Sequence, residues 1–153
     1  MLRYIQKFIF LIRIFWKKPF TEKWMLTRVF LLLAFFRVLI LFFPFKTIAR
    51  YLGEQGKETT SVDVYSSSHE FMENTARFIS NMSRLVPWES KCLVQAAAGK
   101  VMLNRKGIES TVYFGVKKNN EAALEAHAWL RVGPKIILGG EIASEFVVVS
   151  TFA

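Results

Sequence analysis

The longest apolar run of the sequence extends from Met25 to Phe43 and reads "MLTRVFLLLAFFRVLILFF". Its length is sufficient for a helix that crosses a bilayer. However, the run contains Arg28 and Arg37, which are nine residues apart and therefore lie on opposite faces of a helix. An arginine that faces lipid near the middle of a span costs at least about 2.5 kcal/mol. Three alternatives follow: a membrane-spanning helix, a membrane-surface helix, or a core helix covered by its own domain or by a partner.

The positive charge of the chain is concentrated at its N-terminal end. Residues 1–50 contain ten Lys or Arg and one acid, whereas residues 51–153 contain eleven of each, so the first third carries the whole net charge of +9. Residues 1–18 predict a basic amphipathic helix that ends before Pro19. This pattern argues against nucleic-acid binding, in which basic and aromatic groups interleave over a folded surface, and favours contact with a membrane surface or an acidic partner.

The pattern along the chain predicts one principal domain behind a helical N-terminal region. Residues 1–53 form that region, with a break at Pro44 and a stop at Gly53, and the polar residues 54–68 form a surface linker before the domain of residues 69–153. A single cysteine excludes an internal disulfide and a cysteine zinc site, so we expect a reducing, cytoplasmic location, no metal and no cofactor.

The C-terminal domain is predicted to be α+β. A helix ends at Pro87, and "WESKCLVQAAAGKVMLNRKGI" predicts a second helix with Ser90 as N-cap, Cys92 in its first turn and Gly107 as its stop. The segments "STVYFGV", "AHAWLRV", "KIILGG" and "EFVVVST" then predict the strands of an antiparallel sheet, with turns at "KKNNEA" and "GP".

Cys92 and His127 are the candidate catalytic pair. The N-terminus of a helix lowers the pKa of a thiol and so favours the nucleophilic thiolate. A cysteine that begins a helix, followed by a histidine on a strand of the sheet beneath it, is the layout of papain-like and transglutaminase-like folds. The spacing alone favours two packing residues in the core, since a lone cysteine in a helix is far more often a packing residue than a nucleophile.

The residues around this pair resemble a known family. The C-L-x-x-A helix at Cys92, the R-x-G-I turn at Arg105, the "YFGV" strand and the "AHAW" strand are similar to the leader peptidase of lasso-peptide biosynthesis, the transglutaminase-like part of the B protein. "FFPFKTIARYLG" resembles the L-x-P-F segment of the same family, so the resemblance extends from about Lys23 onwards. It implies a cysteine peptidase that removes the leader of a precursor peptide, with Cys92 as nucleophile and His127 as base.

The third catalytic residue departs from the family pattern, which has an aspartate in the strand after the histidine. That strand here reads "KIILGGE". A two-residue turn at Gly133 pairs Val132 with Lys135 and places His127 opposite Gly140, so that Glu141 points to the other face unless a bulge intervenes. Glu141, Glu125, a backbone carbonyl or a water molecule could therefore orient the imidazole.

The resemblance also implies partners. Because the sequence contains no winged-helix domain that would hold a leader, we expect a separate leader-recognition protein besides the precursor peptide and the lasso cyclase. From the basic N-terminal region we also expect association with a membrane surface, and no nucleic acid. Trp88, Gln95 and Trp129 are candidate substrate-binding residues. Two alternatives stay open: a non-catalytic docking subunit with a vestigial pair, and an acyl transferase that uses the same two residues.

Overall fold

The computed structural model describes residues 16, 19–60, 66–118 and 123–153, in which helices precede an antiparallel sheet. The helices are α1 (Phe20–Phe42), α2 (Phe45–Leu52), α3 (Ser66–Leu85) and α4 (Cys92–Asn104). The strands are β1 (Thr111–Lys118), β2 (Leu124–Val132), β3 (Lys135–Leu138) and β4 (Val147–Phe152). The predicted α+β class is confirmed. Apart from Trp16, the predicted helix of residues 1–18 lies outside the described residues, as does most of the predicted turn at 117–122.

The sheet has the strand order β3-β2-β1-β4, and all of its pairs are antiparallel. Val132 pairs with Lys135 across the Gly133-Pro134 turn, as predicted. A bulge then shifts the register between Leu130 and Arg131, so that Leu130 pairs with Leu138. Because β3 ends at Leu138, the stretch of β2 before Leu130 has no strand partner on this side among the described residues.

Helix α4 is the centre of the domain. Its "AAA" segment, Ala96 to Ala98, is fully buried, and small side chains here allow the other helices to approach closely. Gly99 rests on β2, since a Cβ at this position would lie 2.6 Å from Leu130 Cδ2. The sheet covers this side of α4, and α1, α2 and α3 pack around the remainder.

Helix α1 contains the long apolar run as far as Phe42 and lies between Pro19 and Pro44. Proline is disfavoured in the interior of a helix, so these two residues mark the limits of α1. Val29, Leu33 and Phe36 on one of its faces have 0% exposure. This face belongs to the same core as α4. One face of α1 is therefore a core face, which agrees with the core-helix alternative, while the other face is exposed.

The segment after α2 follows the surface and is attached to the end of the chain. Glu54 N donates to Ala153 O (2.8 Å) and Gly56 N donates to Thr151 O (2.9 Å), while Arg131 donates to the carbonyl of Thr59. Residues 61–65 of the predicted linker lie outside the described residues, and α3 begins at Ser66. The division at residues 53 and 68 stays a prediction.

Candidate active site

Cys92 is the first residue of α4 and is half-buried against the main core. The N-cap is Lys91, without a capping side-chain hydrogen bond, so the prediction of Ser90 as N-cap is wrong. The Ser90 hydroxyl is instead buried with no hydrogen-bond partner in the described part of the chain, while the Ser90 carbonyl accepts a hydrogen bond from Gln95 Nε2 at 2.7 Å. Gln95 therefore holds the turn that presents the thiol, because its amide is committed to the backbone two residues before Cys92.

Trp88 lies in the same turn. Its ring meets Phe30 of α1 edge to face at 5.2 Å between centroids, which anchors the turn to α1. The Nε1 atom of Trp88 is buried and has no hydrogen-bond partner within the described part of the chain, as is true of Ser90 Oγ. Two buried donors without acceptors thus lie within four residues of the thiol, and such groups are costly unless a ligand or water satisfies them.

His127 lies in the middle of β2 and pairs with Gly115 of β1. Its Nε2 atom is 2.8 Å from the carbonyl oxygen of Gly139. Its ring stacks on Trp129 at 5.9 Å and lies 5.1 Å from the ring of Phe146. Because a carbonyl oxygen only accepts hydrogen bonds, Nε2 carries the proton, and Nδ1 of a neutral imidazole is left as the basic atom.

Ideal helix and strand dimensions indicate that Cys92 is at about the level of His127 along β2. The two residues Cys92 and Gly99 face the sheet from the same side of α4, since seven residues make nearly two turns. Gly99 lies over Leu130, and seven helical residues correspond to about 10.5 Å, or about three residues of strand. Because α4 runs antiparallel to β1 after a short connection, it runs parallel to β2. Its N-terminal Cys92 is therefore displaced from Leu130 towards His127.

The imidazole points to the face of the sheet opposite α4. Ala128 and Leu130 belong to the core that contains α4, whereas Trp129 packs with Ala143 and Phe146 on the other face. His127 shares the Trp129 face, as strand alternation requires. No hydrogen bond joins Cys92 to His127 in the described residues. In this structure Cys92 and His127 are therefore not joined by a hydrogen bond, and their catalytic pairing stays a prediction.

The two acidic candidates do not contact His127 in the described chain. Glu141 is exposed in a turn beyond β3, and Glu125 pairs with Lys117 at 3.6 Å. The expectation that His127 lies opposite Gly140 is wrong, because the bulge moves the register by one residue and β3 ends before this point. The group that meets the imidazole is the carbonyl of Gly139, one of the kinds of orienting group that the sequence left open.

Sequence reasoning missed the aromatic and charged shell on the His127 face. Lys117 Nζ lies 4.7 Å from the centre of the Phe146 ring and donates to Glu145 at 2.6 Å. This hydrogen bond raises the pKa of Lys117. Phe146 follows a short 3₁₀ turn, Ala143–Glu145, that no local pattern predicted. Its position depends on the sheet that it covers, so the sequence around it has no direct signal.

Among the described residues, no group of three or more His, Cys, Asp or Glu side chains could hold a metal ion. A family model for the transglutaminase-like superfamily matches residues 39–151. The chain belongs to this superfamily. The match includes both Cys92 and His127, and it begins near the end of α1, so most of α1 precedes it. Searches of curated proteins and of solved structures found no match.

The transglutaminase-like fold is compatible with a cysteine peptidase or an acyltransferase. Both activities begin with attack of a thiolate on a carbonyl carbon, and they differ in whether water or an amine takes the acyl group. In this transglutaminase-like chain, Cys92 is the only cysteine, so no other thiol can fill that role.

Proposed function

We propose that this transglutaminase-like protein is a cysteine peptidase that removes the leader peptide from a lasso-peptide precursor. The observation that carries the proposal is the place of Cys92, the first residue of the central helix, beside the strand that contains His127. The lasso-type motifs around the two residues supply the substrate class, a ribosomally made precursor peptide. In this proposal Cys92 is the nucleophile and His127 is the base.

In the proposed reaction, His127 Nδ1 takes the thiol proton and Cys92 Sγ attacks the carbonyl carbon of the scissile peptide bond. The tetrahedral intermediate collapses, the proton goes to the leaving amine of the core peptide, and the leader remains as a thioester on Cys92. Water then releases the leader as a carboxylic acid. The backbone N–H groups at the start of α4 stabilise the oxyanion, with Trp88 Nε1 and Ser90 Oγ as additional donors, since both are buried and neither has a hydrogen-bond partner among the described residues.

The reaction requires the imidazole to approach the thiol more closely than it does in this structure. The stretch of β2 that contains His127 lies beyond the end of β3 at Leu138, and the backbone of Gly139 packs against it. Catalytic hydrogen bonds are often long before substrate binds and tighten in the complex. We infer that precursor binding changes the local structure at this end of the sheet and brings His127 and Cys92 closer together.

The partners proposed are the precursor, a separate leader-recognition protein and a cyclase, in the cytoplasm. A leader in extended conformation can add to the edge of a sheet through its backbone. The edge strand β4 exposes Val147, Val148 and Val149, whereas its C-terminal end is already hydrogen-bonded to residues 54–56. We therefore propose residues 147–149 of β4 as the part of the edge that receives the leader or the strand of its recognition protein.

The decisive experiment is cleavage of a lasso precursor by the full-length chain together with a leader-recognition protein, followed by mass spectrometry. The proposal predicts a free leader carboxylate, a free core amine, and loss of both products with Cys92→Ala. A thioester trapped on Cys92 by brief acid quenching supports the covalent step. Addition of an amine such as glycine methyl ester separates the two activities, because an acyltransferase transfers the leader to the amine in preference to water.

A second candidate is a non-catalytic docking subunit of a peptide-maturation complex. The observation that favours it is the place of the His127 imidazole, on the sheet face opposite α4 and hydrogen-bonded to Gly139. This candidate predicts that Cys92→Ala and the native chain stimulate a separate peptidase equally. Such a result, with no thioester on Cys92, would exclude the peptidase proposal.

A further inference from the structure

The outer face of α1 forms a continuous apolar ridge. We define the α1 ridge as Trp24, Leu31, Phe35, Val38 and Phe42, which are between 40% and 76% exposed. At 100° per residue these five side chains fall within an arc of about 60°. The ridge therefore runs along most of α1 as one stripe, a larger exposed apolar surface than isolated surface residues produce.

The opposite face of α1 prevents the helix from acting as an ordinary membrane span. Glu22–Phe42 is the one helix among the described residues that is long and apolar enough to cross a membrane. However, Val29 and Leu33 are fully buried in the core of the domain. Spanning would require this face to leave the core, whereas a helix that lies flat on a bilayer buries the ridge and keeps the core intact.

Two grooves border the ridge, and both have cationic rims. One groove lies against Phe35 and Tyr51 and the other against Trp24 and Phe71, and both are lined by Arg28, Leu32 and Arg105. Lys106 lines the second groove.

These cations have no acidic partners among the described residues. The guanidinium of Arg28 lies 4.8 Å from the centre of the Trp24 ring, and Lys106 Nζ lies 5.4 Å from the centre of the Phe71 ring. Arg28, Arg105 and Lys106 form no ion pair in the described part of the chain, in contrast to Arg37, which pairs with Glu89. The grooves thus combine apolar walls with available positive charge, which suits an anionic group attached to an apolar chain.

We propose that α1 docks this protein flat on an anionic lipid bilayer, with the α1 ridge in the acyl-chain boundary and Arg28, Arg105 and Lys106 at the phosphates. Charge complementarity selects this occupant, because Glu22 is the one acid in residues 1–50, against ten basic residues. The straight ridge also suits a planar surface, and an aromatic such as Trp24 beside Arg28 is typical of the headgroup level. Docking does not depend on the proposed peptidase activity.

The test is co-sedimentation of the full-length chain with two kinds of vesicle, phosphatidylcholine alone and an equimolar mixture of phosphatidylcholine and phosphatidylglycerol. We expect binding to the mixed vesicles that weakens with salt, and much weaker binding to phosphatidylcholine. The double substitution Arg28→Gln/Arg105→Gln should weaken binding about 25-fold, since each cation near an anionic surface contributes about fivefold. Lys57→Gln/Lys118→Gln removes the same charge elsewhere and should have little effect.

The apolar contribution is tested with Leu31→Ser/Val38→Ser, which should abolish binding to mixed vesicles, against Val147→Ser/Val149→Ser on β4, which should not. Circular dichroism checks that each variant is folded. Equal binding by ridge and control variants, or no binding of the full-length chain to mixed vesicles, overturns the proposal. Two further results would also overturn the proposal, because they identify another occupant of the ridge. Vesicle binding only after deletion of residues 1–18 would identify that segment, and a stable complex with a protein that the ridge variants lose would identify a protein partner.

Discussion

The Nε2 atom of His127 lies 2.8 Å from the carbonyl oxygen of Gly139, so a backbone carbonyl, and not a carboxylate, meets the imidazole. A carbonyl fixes the ring tautomer by accepting the Nε2 proton, but it has no full negative charge with which to stabilise an imidazolium. Gly139, the residue after β3, therefore has two roles: it lies in the turn that follows the strand, and its carbonyl orients the imidazole of the proposed base.

Replacement of Gly139 by alanine should impair the orientation of His127. Gly139 has φ +72°, and a Cβ there would lie 2.7 Å from the carbonyl of Ala128 and 3.2 Å from His127 Nε2. We expect Gly139→Ala to lower kcat for leader cleavage at least about tenfold, because the ring must shift. Gly140→Ala is the matched control, since its Cβ would meet the side chain of Ile136 first. NMR of the His127 ring nitrogens should show a mixed tautomer in the Gly139 variant alone.

The carboxylates near His127 should matter far less than His127 itself. Glu141 is exposed, and Glu125 pairs with Lys117, so neither supports the ring in this structure. Glu141→Gln and Glu125→Gln should each retain cleavage within about threefold of the native rate, whereas His127→Ala should lose about a thousandfold or more. The measurement is kcat/KM on the precursor. A Glu141→Gln variant as inactive as His127→Ala would restore Glu141 as the third catalytic residue.

Cys92→Ala should separate activity from folding. The substitution removes one half-buried sulfur from the first turn of α4 and should change the free energy of unfolding by no more than about 1 kcal/mol. Leader cleavage should fall to background, because no other thiol is present in the chain. Urea unfolding and mass spectrometry measure the two quantities. Cleavage by the alanine variant near the native rate would contradict the thiol mechanism.

The buried Lys100 should make the free energy of unfolding rise with pH in the alkaline range. Burial lowers the pKa of this lysine below 10.5, and its Nζ donates to the carbonyl of Ser110. Between the lowered pKa and 10.5, the unfolded chain binds more protons than the folded chain, so the contribution of Lys100 to the free energy of unfolding rises with pH. Lys100→Met should remove this contribution. Equal pH dependence of the urea midpoint in both proteins would mean that burial does not perturb Lys100.

The contact between Gly53 and the C-terminus should contribute to stability. Gly53 has φ +110°, and a Cβ there would lie 2.0 Å from the carbonyl oxygen of Ala153. Gly53→Ala should therefore destabilise the fold by more than about 2 kcal/mol, since it combines backbone strain with a clash against backbone. Gly56 has φ +80° with open space around it, so Gly56→Ala should show strain alone, about 1 kcal/mol. If Gly53→Ala and Gly56→Ala lowered the stability in thermal unfolding by similar amounts, the carbonyl of Ala153 would not restrict the space at Gly53.

The elements of the domain could be predicted because their signals are local. The alternating "AHAWLRV" and "STVYFGV" segments became β2 and β1, and the helix predicted at Cys92 begins there. Alternation, alanine-rich periodicity and turn residues act over a few positions, so they need no information about distant contacts. The Ser90 cap was wrong because its side chain is buried under tertiary packing and does not turn to the helix end.

By itself, the sequence determined the α+β class, the order of helices and strands, and the place of Cys92 at a helix start, since each follows from patterns within short segments. Only the tertiary structure decided which face of α1 enters the core. It also decided that a bulge shifts the pairing of β2 with β3 by one residue and that the carbonyl of Gly139 meets His127. The physical reason is that a backbone carbonyl, a bulge and a buried helix face depend on contacts between distant segments. Such contacts leave no pattern in the residues that make them.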